Sequence, residues 1–134
     1  MNKNEYVILD TNCLGYFLNG ESLELNMVGA KQIVISEITE MEIQCDKLMT
    51  AQERKMLKIF LSGITIIPLN DFIKEIAVKI RLTSAMKLMD SIIAATSQFL
   101  GLPMMTCDEK FDSVKTTTVI LLPSIKNNVP LRRN

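Results

Sequence analysis

The sequence predicts a single α/β domain built on a mostly parallel sheet of about five strands. Three observations carry that expectation. Short apolar runs of strand length alternate with longer runs of helical periodicity. The strand-like runs are almost wholly apolar, as in strands covered on both faces. The 134 residues suffice for one core of ordinary size, and no internal repeat or low-complexity tract interrupts them. Alternation of this kind belongs to layered α/β folds, whose sites form beyond the carboxyl ends of the strands, at a topological switch point.

Residues 5–10 (EYVILD) are the first apolar run, and residues 12–19 read as a helix stopped by Gly20. Residues 33–35 (IVI) form a buried second strand. Ser36 is placed to cap a helix over 37–48, with Ile38, Met41, Glu42 and Cys45 near one face. Thr50 and Glu53 have capping-box spacing. Leu57, Phe60 and Leu61 form the stripe of the helix they open, and Gly63 lies beyond its end. Residues 64–67 (ITII) are strand three. Asn70 is set to cap a helix over 71–83, where Phe72, Ile76, Ile80 and Ala77 share a face. Residues 88–100 form another helix before Gly101, and 103–106 (PMMT) and 118–122 (TVILL) are strands four and five. The domain is expected over 1–122. Residues 123–134, with Pro123, Pro130, Arg132 and Arg133, are expected to form a loosely held tail. The nine methionines are expected as flexible core filling.

Composition removes whole classes of chemistry. There is no histidine, so Ser-His-Asp triads, Cys-His dyads and histidine-based zinc sites are excluded. Lys+Arg and Asp+Glu are both 15, so nothing global draws the chain to nucleic acid or membrane. A polyanion must then bind through a local basic patch or through metal. Cys13, Cys45 and Cys107 are odd in number and form no CxxC pair, which fits a reducing compartment. The N-terminus enters strand-like sequence without a signal peptide's apolar stretch, and no apolar run approaches the ~20 residues that span a bilayer. A cytoplasmic protein with no membrane partner is the expectation.

The informative residues are acids. Strand one ends in Asp10-Thr11-Asn12, strand two leads into a helix with Glu37, Glu40 and Glu42, and strand four ends in Thr106-Cys107-Asp108. Asp90 opens the helix before strand four. Each has a plainer reading: Asp10 as a helix cap, Glu37 and Glu40 as solvated residues, Asp90 as an acid facing the helix dipole, Asp108 as a turn residue. Glu42 is odder, because it lies among residues expected to face the core, and a buried glutamate needs a partner. If Asp10, Glu42, Asp90 and Asp108 converge, no histidine neutralises them. Two carboxylates ~4 Å apart repel by ~4 kcal/mol at an effective dielectric of about 20. Such a cluster either raises pKa values or binds a cation, and all-oxygen ligands select Mg²⁺ or Mn²⁺. Water activated at such a cation can attack phosphorus, which supplies hydrolysis without histidine.

Four segments, VILDTN (7–12), ISEITEMEI (35–43), KLMDSIIAATS (87–97) and LPMMTCDEKF (102–111), resemble in order and spacing the motifs of the PIN domain family. The likeness is greatest to VapC-type toxins of toxin–antitoxin modules. The first motif resembles the family's strand-end LDTN and gives Asp10 the place of its first acid. The second resembles S-x-I-T-x-x-E and selects Glu42 rather than Glu37 or Glu40. The third gives Asp90 the third acidic place, and the fourth resembles T-x-D-x-x-F through Thr106, Asp108 and Phe111. Met89 stands where proline is common, and Ser91 replaces a frequent alanine; neither change removes an acid. The match spans residues 7–111.

The resemblance implies a PIN-like three-layer α/β/α fold and a Mg²⁺- or Mn²⁺-dependent endoribonuclease leaving a 5′-phosphate and a 3′-hydroxyl. Asp10, Asp90 and Asp108 would hold metal, and Glu42 would hold metal or orient the attacking water. Thr11, Asn12, Ser36 and Thr106 would steady the carboxylates, with simple capping as the alternative. Asp112 is either a fifth acid or a surface residue, the second being favoured. The implied partners are an RNA substrate, a cognate antitoxin and a second copy of the chain in a homodimer. Lys79, Arg81, Lys87 and Lys110 are the nearby cations, and aromatics are only 5%, so little suggests a base-stacking platform. The alternative within the family is a catalytically silent module that binds RNA or protein. A haloacid-dehalogenase-like phosphatase would need a second acid two residues after Asp10, where Asn12 stands, and a Toprim-type nuclease would need the same absent D-x-D pair.

Overall fold

A computed structural model of the chain describes residues 5–20, 28–29 and 32–123. Five strands, β1 (Val7–Leu9), β2 (Ile33–Ser36), β3 (Thr65–Ile67), β4 (Met104–Thr106) and β5 (Val119–Leu121), form one sheet in the order β3-β2-β1-β4-β5. Every pairing is parallel, with Val7 opposite Ile33 and Ile8 opposite Met104. The chain winds outward from β1 through β2 to β3, then returns to lay β4 against the other side of β1. That reversal puts the switch point between β1 and β4, where a crevice opens at the strand ends.

Strand alternation divides the core into two. Ile8, Val34 and Met104 point to one face and pack with Ile73, Ala77, Ile80, Ile93 and Phe111. Val7, Leu9, Ile33 and Ile35 point to the other and pack with Cys13, Leu14, Leu57 and Leu61. The first face is covered by helices α4 (Asp71–Thr83) and α5 (Leu88–Leu100), the second by α1 (Thr11–Asn19) and α3 (Ala51–Ser62). The short α2 (Glu37–Ile43) sends Ile38 to one core and Ile43 to the other. This is the expected three-layer α/β/α arrangement.

Local chemistry sets the helix ends. Asp10, Ser36 and Asn70 each accept a backbone N–H of the helix they open, and Thr50 and Glu53 complete a reciprocal capping box. Gly20 and Gly101 end α1 and α5 with φ of 67° and 66°, the left-handed region that favours glycine. Within α5, Ser91 to Ser97 are all buried, so this helix is enclosed along most of its length.

Several expectations are corrected. The helix expected over 37–48 ends at Ile43, because the carbonyls of Gln44 and Asp46 turn away to accept the Arg54 guanidinium. On α2 the buried residues are Ile38, Thr39 and Ile43, while Met41 and Cys45 are exposed and Glu42 is half-buried. On α4, Phe72 is 67% exposed and stacks on Phe99 with ring centroids 5.9 Å apart; Ile73 takes the core position instead. The methionines divide: Met86 and Met104 fill core, whereas Met41, Met56 and Met89 are exposed. The tail expected over 123–134 lies, beyond Pro123, outside the described residues.

Candidate active site

The crevice at the switch point is built from the ends of β1 and β4. Asp10 follows β1 directly and is 5% exposed. Its Oδ1 accepts the backbone N–H of Cys13 at 2.9 Å, and its Oδ2 accepts the hydroxyl of Thr106 at 2.5 Å. The helix-cap reading of Asp10 is therefore correct, and capping leaves the carboxylate at the mouth of the crevice. Thr106 is fully buried at the end of β4, and its oxygen also accepts the Asp108 N–H at 3.0 Å. One side chain thus ties Asp10 to the segment carrying Asp108. Asp108 itself caps the 3-10 helix Glu109–Ser113, accepting the Lys110 N–H at 2.9 Å.

Glu42 is held by a different pair. Thr11 lies 2.5 Å from Glu42 Oε1 and 3.2 Å from the Thr39 hydroxyl. A hydroxyl has one hydrogen to donate, and the carboxylate can only accept it. Thr11 therefore donates to Glu42, and Thr39, fully buried, donates to Thr11. Such chains strengthen one another when water is excluded. Thr39 was not singled out from the sequence; its position three residues before Glu42 places it on the same helical face, which is the signal that could have found it.

Asp90 lies in the first turn of α5, half-buried. Burial raises its carboxyl above the usual carboxylate range. The charges of Asp10, Asp108 and Glu42 raise it further, and Lys110 offsets them in part. The four acids are thus electrostatic neighbours although they come from β1, α2, α5 and the end of β4. Burial likewise raises Asp10, opposed by its hydrogen bonds from Thr106 and Cys13. Among the described residues no lysine or arginine forms an ion pair with any of the four. Nor, among the described residues, are three or more acid or thiol side chains gathered closely enough to hold a metal ion.

A cleft of about 430 Å³ opens here, lined by Asp10, Asn12, Tyr16, Cys107, Asp108, Glu109 and Lys110. Tyr16 is an aromatic side chain at the acids that the sequence did not indicate; helical spacing put it on α1 without fixing its face. Ser36 is buried and caps α2 through the Ile38 N–H, so it is accounted for by capping. Asn12 is exposed at the cleft. Asp112 is exposed and is not among the principal charges acting on Asp90. Lys79, Arg81 and Lys87 are exposed as well. Cys13 and Cys107 flank the acids with sulfurs 3.9 Å apart, and burial raises both thiols.

In its chemistry, though not in its present spacing, the donor set suits a hard divalent cation. It is all oxygen, it comes from four separate segments, and its mutual repulsion is not relieved by any ion pair within the described chain. No helix among the described residues is long and apolar enough to cross a membrane.

Similar folds occur in solved structures. A chain of a toxin–antitoxin complex from Klebsiella pneumoniae aligns with a TM-score of 0.72 and 28% identity, covering 85% of this chain and 95% of that one. A chain of VapBC2 from Rickettsia felis, bound to a promoter DNA fragment, aligns with a TM-score of 0.74 and 21% identity, covering 87% and 98%. A chain of the toxin–antitoxin system VapBC-5 from Mycobacterium tuberculosis gives 0.63 and 18%, covering 88% and 99%. No curated protein matches by sequence. The sequence pattern of the PIN domain family matches residues 7–116, from the first residue of β1 past the 3-10 helix and across all four acids. The strand order, the acids at the strand ends and this match over most of the chain lead to one conclusion: the protein belongs to the PIN domain family.

Proposed function

We propose that this protein is a metal-dependent endoribonuclease, the toxin of a type II toxin–antitoxin pair. The observation that carries the reading is the electrostatic convergence of Asp10, Glu42, Asp90 and Asp108 at the switch point, without an ion pair to any described cation. Family membership and the likeness to chains of toxin–antitoxin complexes support a nuclease of that kind.

Asp10, Asp90 and Asp108 would hold Mg²⁺ or Mn²⁺. Bound there, the cation supplies charge neutralisation at the phosphate and lowers the pKa of water. The chain's own residues do the rest. Thr106 and the Cys13 N–H fix both oxygens of Asp10. Glu42, steadied by Thr11, accepts a proton from the attacking water. Water adds to phosphorus, the bond to the 3′-oxygen breaks, and the products are a 5′-phosphate and a 3′-hydroxyl. Lys110, whose charge already acts at Asp90 and which lines the cleft, would meet a phosphate of the incoming strand.

A separate cleft of about 380 Å³ between α1 and α3, lined by Leu18, Ile43, Met49, Met56, Leu57 and Phe60 among others, is proposed to receive an apolar segment of the antitoxin. Helices α4 and α5 expose Leu82, Leu88 and Met89, which support association with a second copy of the chain. Cytoplasmic residence completes the proposal.

The test incubates purified protein with structured RNAs and Mg²⁺ or Mn²⁺, with and without EDTA. Cleavage that needs the metal and disappears in folded Asp10→Asn and Asp90→Asn supports the reading. Cleavage that survives EDTA overturns the mechanism. Absence of cleavage across transfer, ribosomal and messenger RNAs favours a module that only binds. Sedimentation of the purified chain, alone and with the product of an adjacent gene, tests the two interfaces.

A further inference from the structure

The nuclease chemistry uses neither of the two thiols beside the acids. Cys13 is fully buried in the first turn of α1, and Cys107 is half-buried between Thr106 and Asp108. They come from segments 94 residues apart, and their sulfurs lie 3.9 Å from each other. Cys107 also lines the acidic cleft, so a small solute entering the cleft reaches that sulfur first and finds Cys13 directly behind it.

We propose that Cys13 and Cys107 are a reversible oxidation site that closes to a disulfide on reaction with a peroxide and thereby disables the acidic cleft. In the first step the Cys107 sulfur gives up its hydrogen and attacks one peroxide oxygen, slowly, because burial raises that thiol. An S–O bond forms and the O–O bond breaks. The second oxygen leaves as water, taking up the thiol hydrogen, and the sulfur, now a sulfenic acid, has lost two electrons to the peroxide. In the second step the Cys13 sulfur attacks the Cys107 sulfur. An S–S bond forms, the S–O bond breaks, and the departing hydroxide takes the Cys13 hydrogen as a second water. Two thiols and one hydrogen peroxide thus give one disulfide and two waters. Thiol exchange with a small reductant reverses it.

The link acts on the acids through the backbone. Cys13 donates its N–H to Asp10 Oδ1, and Cys107 joins Thr106, which donates to Asp10 Oδ2, to Asp108. A disulfide requires sulfurs at about 2.0 Å. Closing from 3.9 Å ties the first turn of α1 to the end of β4, the two segments that carry both donors to Asp10. The effect on cleavage rests on the nuclease reading; the oxidation chemistry does not.

The experiment uses the full chain carrying Cys45→Ser, because Cys45 is exposed and would link molecules to one another. The protein is treated with hydrogen peroxide, alkylated and digested for mass spectrometry. The expected product lacks two hydrogens and yields joined peptides containing residues 13 and 107. Dithiothreitol separates them. The same samples are melted with Mn²⁺ and assayed on RNA: oxidation removes the metal-induced rise in melting temperature and lowers cleavage at least tenfold, and dithiothreitol restores both. In Cys13→Ala the peroxide instead leaves oxygen on Cys107, with no link. The proposal is overturned if the Cys45→Ser protein gains oxygen at Cys107 without a link. It is equally overturned if the link forms while metal stabilisation and cleavage stay unchanged. Failure of the reduced protein to cut any RNA would count against the nuclease reading alone, since the joined peptide is read independently.

Discussion

The Thr106 hydroxyl donates to Asp10 Oδ2 across 96 residues of chain, and the same oxygen accepts the Asp108 N–H. This one side chain sets the spacing of two acids at the switch point. Thr106→Val keeps the shape and removes the donor. Metal affinity and cleavage are expected to fall about ten- to a hundredfold, the usual consequence of losing a group that orients a ligand. The unsatisfied carboxylate oxygen adds about 1–3 kcal/mol of destabilisation. Thr106→Ser should retain most of both. Isothermal titration with Mn²⁺ and chemical denaturation check the two effects separately.

Asp90 gives a pH signature. Its carboxyl is raised above the ordinary value of 3.8, so the folded chain holds that proton more tightly than the unfolded chain does. Between 3.8 and the raised folded value, metal-free stability therefore falls as pH rises, and above that window the cost is fully present. Asp90→Asn removes the cost. In EDTA at pH 7 the variant should melt a few degrees higher than the parent, and the gap should close as pH falls below about 4. Thermal melts from pH 4 to 8 measure it. A variant that melts lower at pH 7 would contradict the repulsion described here.

Added metal should reverse that order. With Mn²⁺ at about a hundred times its dissociation constant, the parent gains about 2.7 kcal/mol. Asp10→Asn and Asp90→Asn should gain little. The comparison of melts with and without Mn²⁺ reads metal binding without any RNA substrate.

Thr39 acts on Glu42 only through Thr11. Thr39→Val removes the first hydrogen of the relay, and cleavage should fall about three- to tenfold, the scale of one hydrogen bond. KM should be unchanged, and Thr39→Ser should recover the rate. A loss of rate that Thr39→Ser fails to recover would assign Thr39 to packing instead.

Thr50 supplies a control far from the acids. Thr50→Ala opens the capping box of α3 and should cost about 1 kcal/mol in urea denaturation. Cleavage under folding conditions should be unaltered.

The parts of the fold legible in the sequence were those fixed by local chemistry. Asp10, Ser36, Thr50 and Asn70 cap because a side-chain oxygen meets an N–H two or three residues on. Gly20 and Gly101 stop helices because positive φ suits them. What stayed hidden depended on residues distant in sequence. Periodicity cannot separate neighbours such as Phe72 and Ile73; packing against Ile93 and Met104 selects Ile73, and Phe99 receives Phe72 outside. The early end of α2 depends on Arg54, and the Thr39–Thr11 contact spans 28 residues. The acids themselves stood out because they followed apolar strands. Their convergence depends on the strand order, which apolar runs alone leave open.

That strand order has a consequence for synthesis. β1 occupies the middle of the sheet but is the first strand translated, and its neighbour β4 ends at Thr106. A nascent chain still short of that residue leaves Asp10 without the hydroxyl that holds it and without Asp108. Premature release before that point therefore yields a polypeptide in which Asp10 lacks both of its partners from the β4 segment.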